Sequence, residues 1–213
     1  MRYSSRARLF LGLLILFTIS SAFAQAPQPF SADMSTTSAN GNANIKGKFF
    51  LALPKMRVDM TDTGQQRQAG PFGGKMSILM DAEAKMVYML MTEQQMYMEF
   101  PMTENNPMLQ RMPKWQDLKS DPCAGRDDVT CKKVGTETVN GRSCDKWEAT
   151  KKNGEKDIFW IDQKLHFPVK SQTGNVTTEF TNIKEGAPDP ALFKVPAGYR
   201  KFEAGAFGGQ KPH

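Results

Sequence analysis

From Phe30 onward the sequence alternates apolar and polar residues with a period of two, in short runs broken by turn residues. That pattern constrains the fold more than any other feature. A period of two belongs to strands with one face on a core and the other toward water. Tight turns at short, regular spacing join such strands antiparallel. The first run sets Phe30, Ala32 and Met34 against Ser31, Asp33 and Ser35. Further strands are predicted over 49–53, 56–60, 76–80, 86–91, 96–100, 131–139, 142–150, 157–161, 167–173 and 176–183. The 86–91 run is apolar on both faces and is expected to be covered on both sides. Asn140-Gly141 is a strong hairpin signal, and Asn153-Gly154 and Gly174-Asn175 mark further turns.

Helix is scarce. The best candidate is 106–119, where Asn106 caps, Pro107 suits the first turn, and Met108, Leu109, Met112 and Trp115 fall near one face. Pro113 kinks or splits it. Residues 189–193 suit a single turn. The Gly-rich stretch Gly70-Pro71-Phe72-Gly73-Gly74 lacks the Lys-Ser/Thr of a phosphate loop and reads as a mobile turn. The fold class expected is mainly β, an antiparallel sheet in either a sandwich or a barrel, with one amphipathic helical piece covering an open face.

The chain begins with Arg2, Arg6 and Arg8, then an apolar run from Leu9 to Ile19, then Ala22-Phe23-Ala24. This is the pattern of a secretory signal peptide over 1–24, cleaved after Ala24. The run is too short to span a bilayer, which takes roughly 20 apolar residues. The expected layout is a signal peptide, a single domain over 25–204, and a flexible Gly-rich tail over 205–213. The leader holds three Arg and no acid, so the 28 basic residues become 25 against 22 acidic ones, a net charge of +3. Lys and Arg are scattered without a dense run, which argues against a nucleic-acid partner.

Export favours a disulfide, and the cysteines are Cys123, Cys131 and Cys144. A two-residue turn at Asn140-Gly141 sets Cys144 opposite Glu137, with Cys131 six residues out of register. The favoured pair is Cys123–Cys131, with Cys123–Cys144 next. No C-x-x-C is present, so the reading is structural rather than redox.

Of the 14 methionines, Met1 leaves with the leader and the other 13 lie between Met34 and Met112. Met89 and Met91, then Met96 and Met98, sit two apart and so share a sheet face. Three uses of methionine compete. It fills a core as Leu would; it lines a cavity for flexible apolar ligands, being unbranched and polarizable; or its thioethers bind Cu(I). Copper is the weakest of the three in sequence terms, because His166 and His213 are the only histidines and no His or Cys lies among the pairs.

Catalytic chemistry is hard to place. G-x-S-x-G, a Walker loop and H-E-x-x-H are all missing. His166 alone could serve as the base of a triad, and no oriented partner can be named for it. Glu137, Asp145, Glu148 and Asp162 read as a solvated face rather than a hydrolase pair. The expectation is a protein that is not an enzyme and carries no cofactor.

Three segments bring a family into view. Leu53-Pro54-Lys55-Met56-Arg57-Val58-Asp59 resembles a strand of bacterial lipoprotein-carrier proteins, in which Pro precedes an apolar residue, Arg, an apolar residue and an acid. Phe159-Trp160-Ile161-Asp162 followed by Leu165-His166-Phe167-Pro168-Val169-Lys170 is similar to their W-I-D … L-P-x-K strand–turn–strand. Asp189-Pro190-Ala191-Leu192-Phe193-Lys194-Val195-Pro196-Ala197-Gly198-Tyr199 resembles their closing segment. The resemblance is to the LolA/LolB-like superfamily, and within it to an uncharacterised exported branch of the DUF4412 kind. It implies a curved, unclosed half-barrel with helices lidding an apolar concave face. Members carry lipoprotein acyl chains, bind lipids or glycolipids, or sense envelope stress in the periplasm. It also implies that Arg57 helps control the lid, which here rests on 106–119.

The expected ligand lining is Met56, Val58, Met60, Met76, Ile78, Met80, Met89, Met91, Met96, Met98 and Trp160. Met108, Leu109, Met112 and Trp115 would form the inner face of the lid. The function expected is periplasmic binding or carriage of a lipid or acylated lipoprotein by a monomer that does not span the membrane. The alternatives are an envelope regulatory or scaffold protein with a protein partner, and a methionine-based Cu(I) binder.

Overall fold

The structure is a computed structural model that describes residues 26–40, 44–62, 75–103, 123 and 128–202. These form one 12-stranded sheet. In chain order the strands are β1 (Phe30–Ser38), β2 (Asn44–Ala52), β3 (Lys55–Asp62), β4 (Met76–Asp81), β5 (Met86–Met91) and β6 (Met96–Pro101). They continue as β7 (Val129–Val139), β8 (Arg142–Lys151), β9 (Lys156–Asp162), β10 (Phe167–Thr173), β11 (Val176–Glu185) and β12 (Arg200–Lys201). The spatial order is β12-β6-β5-β4-β3-β2-β1-β11-β10-β9-β8-β7, so the sheet is open, with β12 and β7 at its edges. All pairings are antiparallel except β12 with β6.

The sheet curves strongly. Phe49 on β2 and Phe167 on β10 are three strand steps apart, about 14 Å if the sheet were flat. Their ring centroids lie 5.4 Å apart. Phe30 to Phe167 is 5.0 Å and Phe49 to Phe180 is 4.9 Å. Such closeness requires the face that carries these rings to be concave. Asn140, at the tip of the β7–β8 hairpin, donates to Glu179 Oε1 at 2.9 Å, which brings that tip over β11.

Local chemistry explains the turns. Val139 pairs with Arg142, leaving the two-residue Asn140-Gly141 turn, and both residues have positive φ, 49° and 77°. Glu137 faces Cys144 as the sequence predicts. Two other turns share one design. Asp81 Oδ1 accepts the N–H groups of Glu83 and Ala84 at 3.1 and 3.0 Å, and Asp162 Oδ1 those of Lys164 and Leu165 at 2.8 and 2.7 Å. Each carboxylate also meets a cation from a neighbouring strand, Lys55 for Asp81 and Arg142 for Asp162. Each turn closes on a left-handed residue, Lys85 (φ 54°) or His166 (φ 52°).

The sequence places the other strands well and misses two features. β2 starts at Asn44, not at residue 49. Gly47 breaks the alternation, although it faces inward: a Cβ there would lie 2.2 Å from the Asp59 carbonyl oxygen. The two-residue β12 is too short to leave a periodic signature. The turn expected at 189–193 is a 3-10 helix, Pro190–Phe193, capped by Asp189, whose Oδ1 accepts from Ala191 N at 2.8 Å. The leader, the Gly70–Gly74 loop, the lid over 106–119 and the tail over 205–213 lie outside the described residues. Among the described residues, no helix is long and apolar enough to cross a membrane.

Candidate functional site: a methionine-rich concave face

Across β3, β4, β5 and β6 the pairing runs without a bulge from Met56 to Met60, so residues opposite one another form straight rows. The first row is Met56, Met80, Val87 and Phe100. The second is Val58, Ile78, Met89 and Met98. The third is Met60, Met76, Met91 and Met96. Ten of the expected lining residues therefore share one face, and the register continues through Leu51, Phe49 and Gly47 on β2 to Phe30, Ala32 and Met34 on β1. This is the concave face. Val87 and Phe100 belong to it too; their parity with Met89, Met91, Met96 and Met98 is the signal that finds them.

Burial is graded along the rows. Met56, Met60, Met80, Val87 and Met91 are buried. Val58, Ile78, Met76, Met89, Met96, Met98 and Phe100 are half-buried. The middle row is half-buried at every position, giving an apolar strip across four strands.

Trp160 stands apart from these rows. It lies on β9, well beyond β3 in the sheet order. Its Nε1 donates to Glu137 Oε2 at 2.7 Å, and the Lys146 and Lys170 ammonium groups lie 5.2 and 5.3 Å from its ring centroid. Hydrogen bonds from Lys146 and Trp160 lower the Glu137 pKa. Met108, Leu109, Met112 and Trp115 fall outside the described residues.

The reverse face of the same four strands is partly covered, with Arg57, Tyr88, Tyr97 and Glu99 half-buried. Leu79 and Leu90 are each 1% exposed there, and Ser77 is buried beside them. The chain after β11 crosses this side, where its 3-10 helix packs on β3 and β4 with Phe193 buried, then adds β12 to the β6 edge. Arg57 fastens it: Nη1 donates to the Leu192 carbonyl at 2.8 Å, Nε to Asp59 at 2.6 Å and Nη2 to Ser77 Oγ at 3.4 Å. Arg57 thus lies on the opposite face from the methionine rows. The expectation that 86–91 is covered on both sides is met, since Val87 on one face and Leu90 on the other are each 1% exposed.

Elsewhere the polar groups neutralise one another. A groove of about 470 Å³ over β2, β1 and β11 is lined by Asp33, Lys48, Phe50, Asn182 and Lys184. Hydrogen bonds from Asn182 and Lys48 hold its Asp33 below the usual carboxylate pKa. The disulfide joins Cys123 to Cys131 with Cα atoms 5.7 Å apart, and Cys144 is a buried thiol. Burial pushes the Cys144 pKa up to about 11, so it stays protonated near neutral pH. Among the described residues, no cluster of three His, Cys, Asp or Glu is placed to hold a metal.

The model of a domain of unknown function, DUF4412, matches residues 31–167. The chain belongs to the DUF4412 family. That stretch takes in every strand of the methionine face. No curated protein matches the chain. Among solved structures, an uncharacterized conserved protein from Thermus thermophilus is similar over 83% of this chain and 90% of its own, with 10% identity and a TM-score of 0.52. The Pseudomonas aeruginosa MucA/MucB complex matches over 80% of this chain and 56% of the other, with 14% identity and a TM-score of 0.50, so this chain spans little more than half of that one. A LolA superfamily protein from Nitrosomonas europaea is similar over 81% of this chain and 91% of its own, with 9% identity and a TM-score of 0.32. The first two likenesses are of fold.

Proposed function

We propose that this DUF4412 protein is a non-enzymatic periplasmic binder that holds an acyl chain of a lipid or lipoprotein against its methionine face. The observation that carries the reading is the half-buried middle row, Val58, Ile78, Met89 and Met98, on the concave side of an open sheet. A buried CH₂ gains roughly 0.8 kcal/mol, so one chain contributes on the order of ten before ordering costs. Thioether side chains, flexible and polarizable, hold such a chain without demanding one shape. The leader over 1–24 would deliver the protein to the compartment where such ligands move.

A second reading is that the concave face takes an apolar protein segment; the MucA/MucB complex, a neighbour in fold, supports it. A fluorescent fatty acid titrated into the mature protein tests the first reading. Saturable binding is expected, and Met89→Asp with Met98→Asp should abolish it while the far-UV spectrum stays unchanged. Failure of the wild type to bind would remove the acyl reading and leave the protein segment.

A further inference from the structure

The third row differs in kind from the other two. The first mixes Met56 and Met80 with Val87 and Phe100, and the second mixes Met89 and Met98 with Val58 and Ile78. The third is methionine at each of four successive strands, Met60, Met76, Met91 and Met96. Packing alone does not call for this. A core accepts Leu, Ile and Met interchangeably where volume is kept, and the neighbouring rows show that mixture. A uniform row places one functional group, the thioether, at every step across the strands.

We infer that Met76, Met91 and Met96 form a binding site for Cu(I), with Met60 extending the row. Directly opposed residues have Cβ atoms about 4.5–5.5 Å apart. Each methionine has three rotatable bonds, so the sulfurs of three neighbours can turn toward one ion, and the concave curvature draws their tips together. Soft thioether ligands select Cu(I) over the hard divalent cations. Thioethers carry no proton to lose, so the site needs no base and binds without proton release. Met91 is 4% exposed, while Met76 and Met96 on either side of it are half-buried, giving a dry centre with an open rim. The missing histidine that weakens copper at the level of sequence is no obstacle once three thioethers stand in register. The site is tested separately from the acyl-chain reading, because transfer of Cu(I) from a chelator is read with no lipid present.

The test is an anaerobic titration of the mature protein, with its disulfide intact, against a chromophoric Cu(I) chelator such as bicinchoninate. Every variant carries Cys144→Ala, so that the thiol takes no metal. The parent should withdraw one equivalent of Cu(I). The triple variant Met76→Leu, Met91→Leu, Met96→Leu should withdraw none, while its far-UV spectrum and its urea unfolding midpoint persist. Met56→Leu with Met80→Leu, in the first row, should leave the equivalent in place. A parent that leaves the chelator complex unchanged would overturn the site, and so would a triple variant that still takes copper.

Discussion

Two regions of one sheet are built on the same antiparallel ladder and filled in opposite ways. Around β1, β2, β10 and β11 the concave face is closed by Phe30, Phe49, Phe167 and Phe180, three of them at most 1% exposed and joined by ring contacts. Around β3 to β6 the same face carries methionines and branched residues, many half-buried. Rigid rings in edge and tilted contact fix one arrangement. Unbranched thioethers admit many. One region fixes the curvature of the sheet, and the other is left adaptable on the surface so curved.

The largest expected contrast comes from truncating each region. Phe167→Ala should destabilise the protein by about 3–5 kcal/mol, because it opens a cavity in a fully buried cluster. Met89→Ala, at a half-buried position, should stay below about 2 kcal/mol, under the range for buried methionine. Urea unfolding of both variants measures the difference. Equal losses would erase the distinction between the regions.

The turn carboxylates give the next effect. Asp81→Asn should lose about 1–3 kcal/mol, through weakened hydrogen bonds and an unbalanced Lys55. Burial opposes ionisation of Asp81, but hydrogen bonds from Ala84 N–H and from Lys55 prevail and its pKa is lowered. A lowered folded pKa contributes stability above the ordinary carboxylate value and loses it as pH falls through the folded one. The gap between wild type and variant should therefore be full near neutral pH and shrink below about pH 4. A gap independent of pH would contradict the assignment.

Arg57→Met should act on one region alone. It removes the grip on Leu192, so hydrogen exchange should rise across 190–202 and at Leu79 and Leu90 beneath it. The phenylalanine cluster should stay protected. A global loss of about 1–2 kcal/mol or less is expected, the size of a few hydrogen bonds partly replaced by water.

Much of this contrast is legible in the sequence. Alternation places the strands, and the Asn140-Gly141 pair sets a register that Glu137 and Cys144 confirm. The Cys123–Cys131 pairing that the sequence favours is the one formed. The shared face of Met56, Met76, Met89 and Met96 needs strand pairing as well as parity, and pairing between β3 and β4 crosses residues 63–75, whose Gly-rich stretch marks a turn without fixing a register. Trp160 shows the limit. Its motif suggests a lining residue, and it joins the buried cluster that holds Met56 and Met80, but it sits outside the methionine rows, and strand order is a property of the whole chain. The reverse-face role of Arg57 is equally hidden, because its partner Leu192 is 135 residues away.

The most direct test of the acyl-chain account is native mass spectrometry of the mature protein purified gently from the periplasm, with lipid extraction of the same sample. The account predicts a co-purifying acyl lipid that disappears in the Met89→Asp, Met98→Asp variant. A protein that arrives without lipid, and stays so after incubation with envelope lipids, would contradict it.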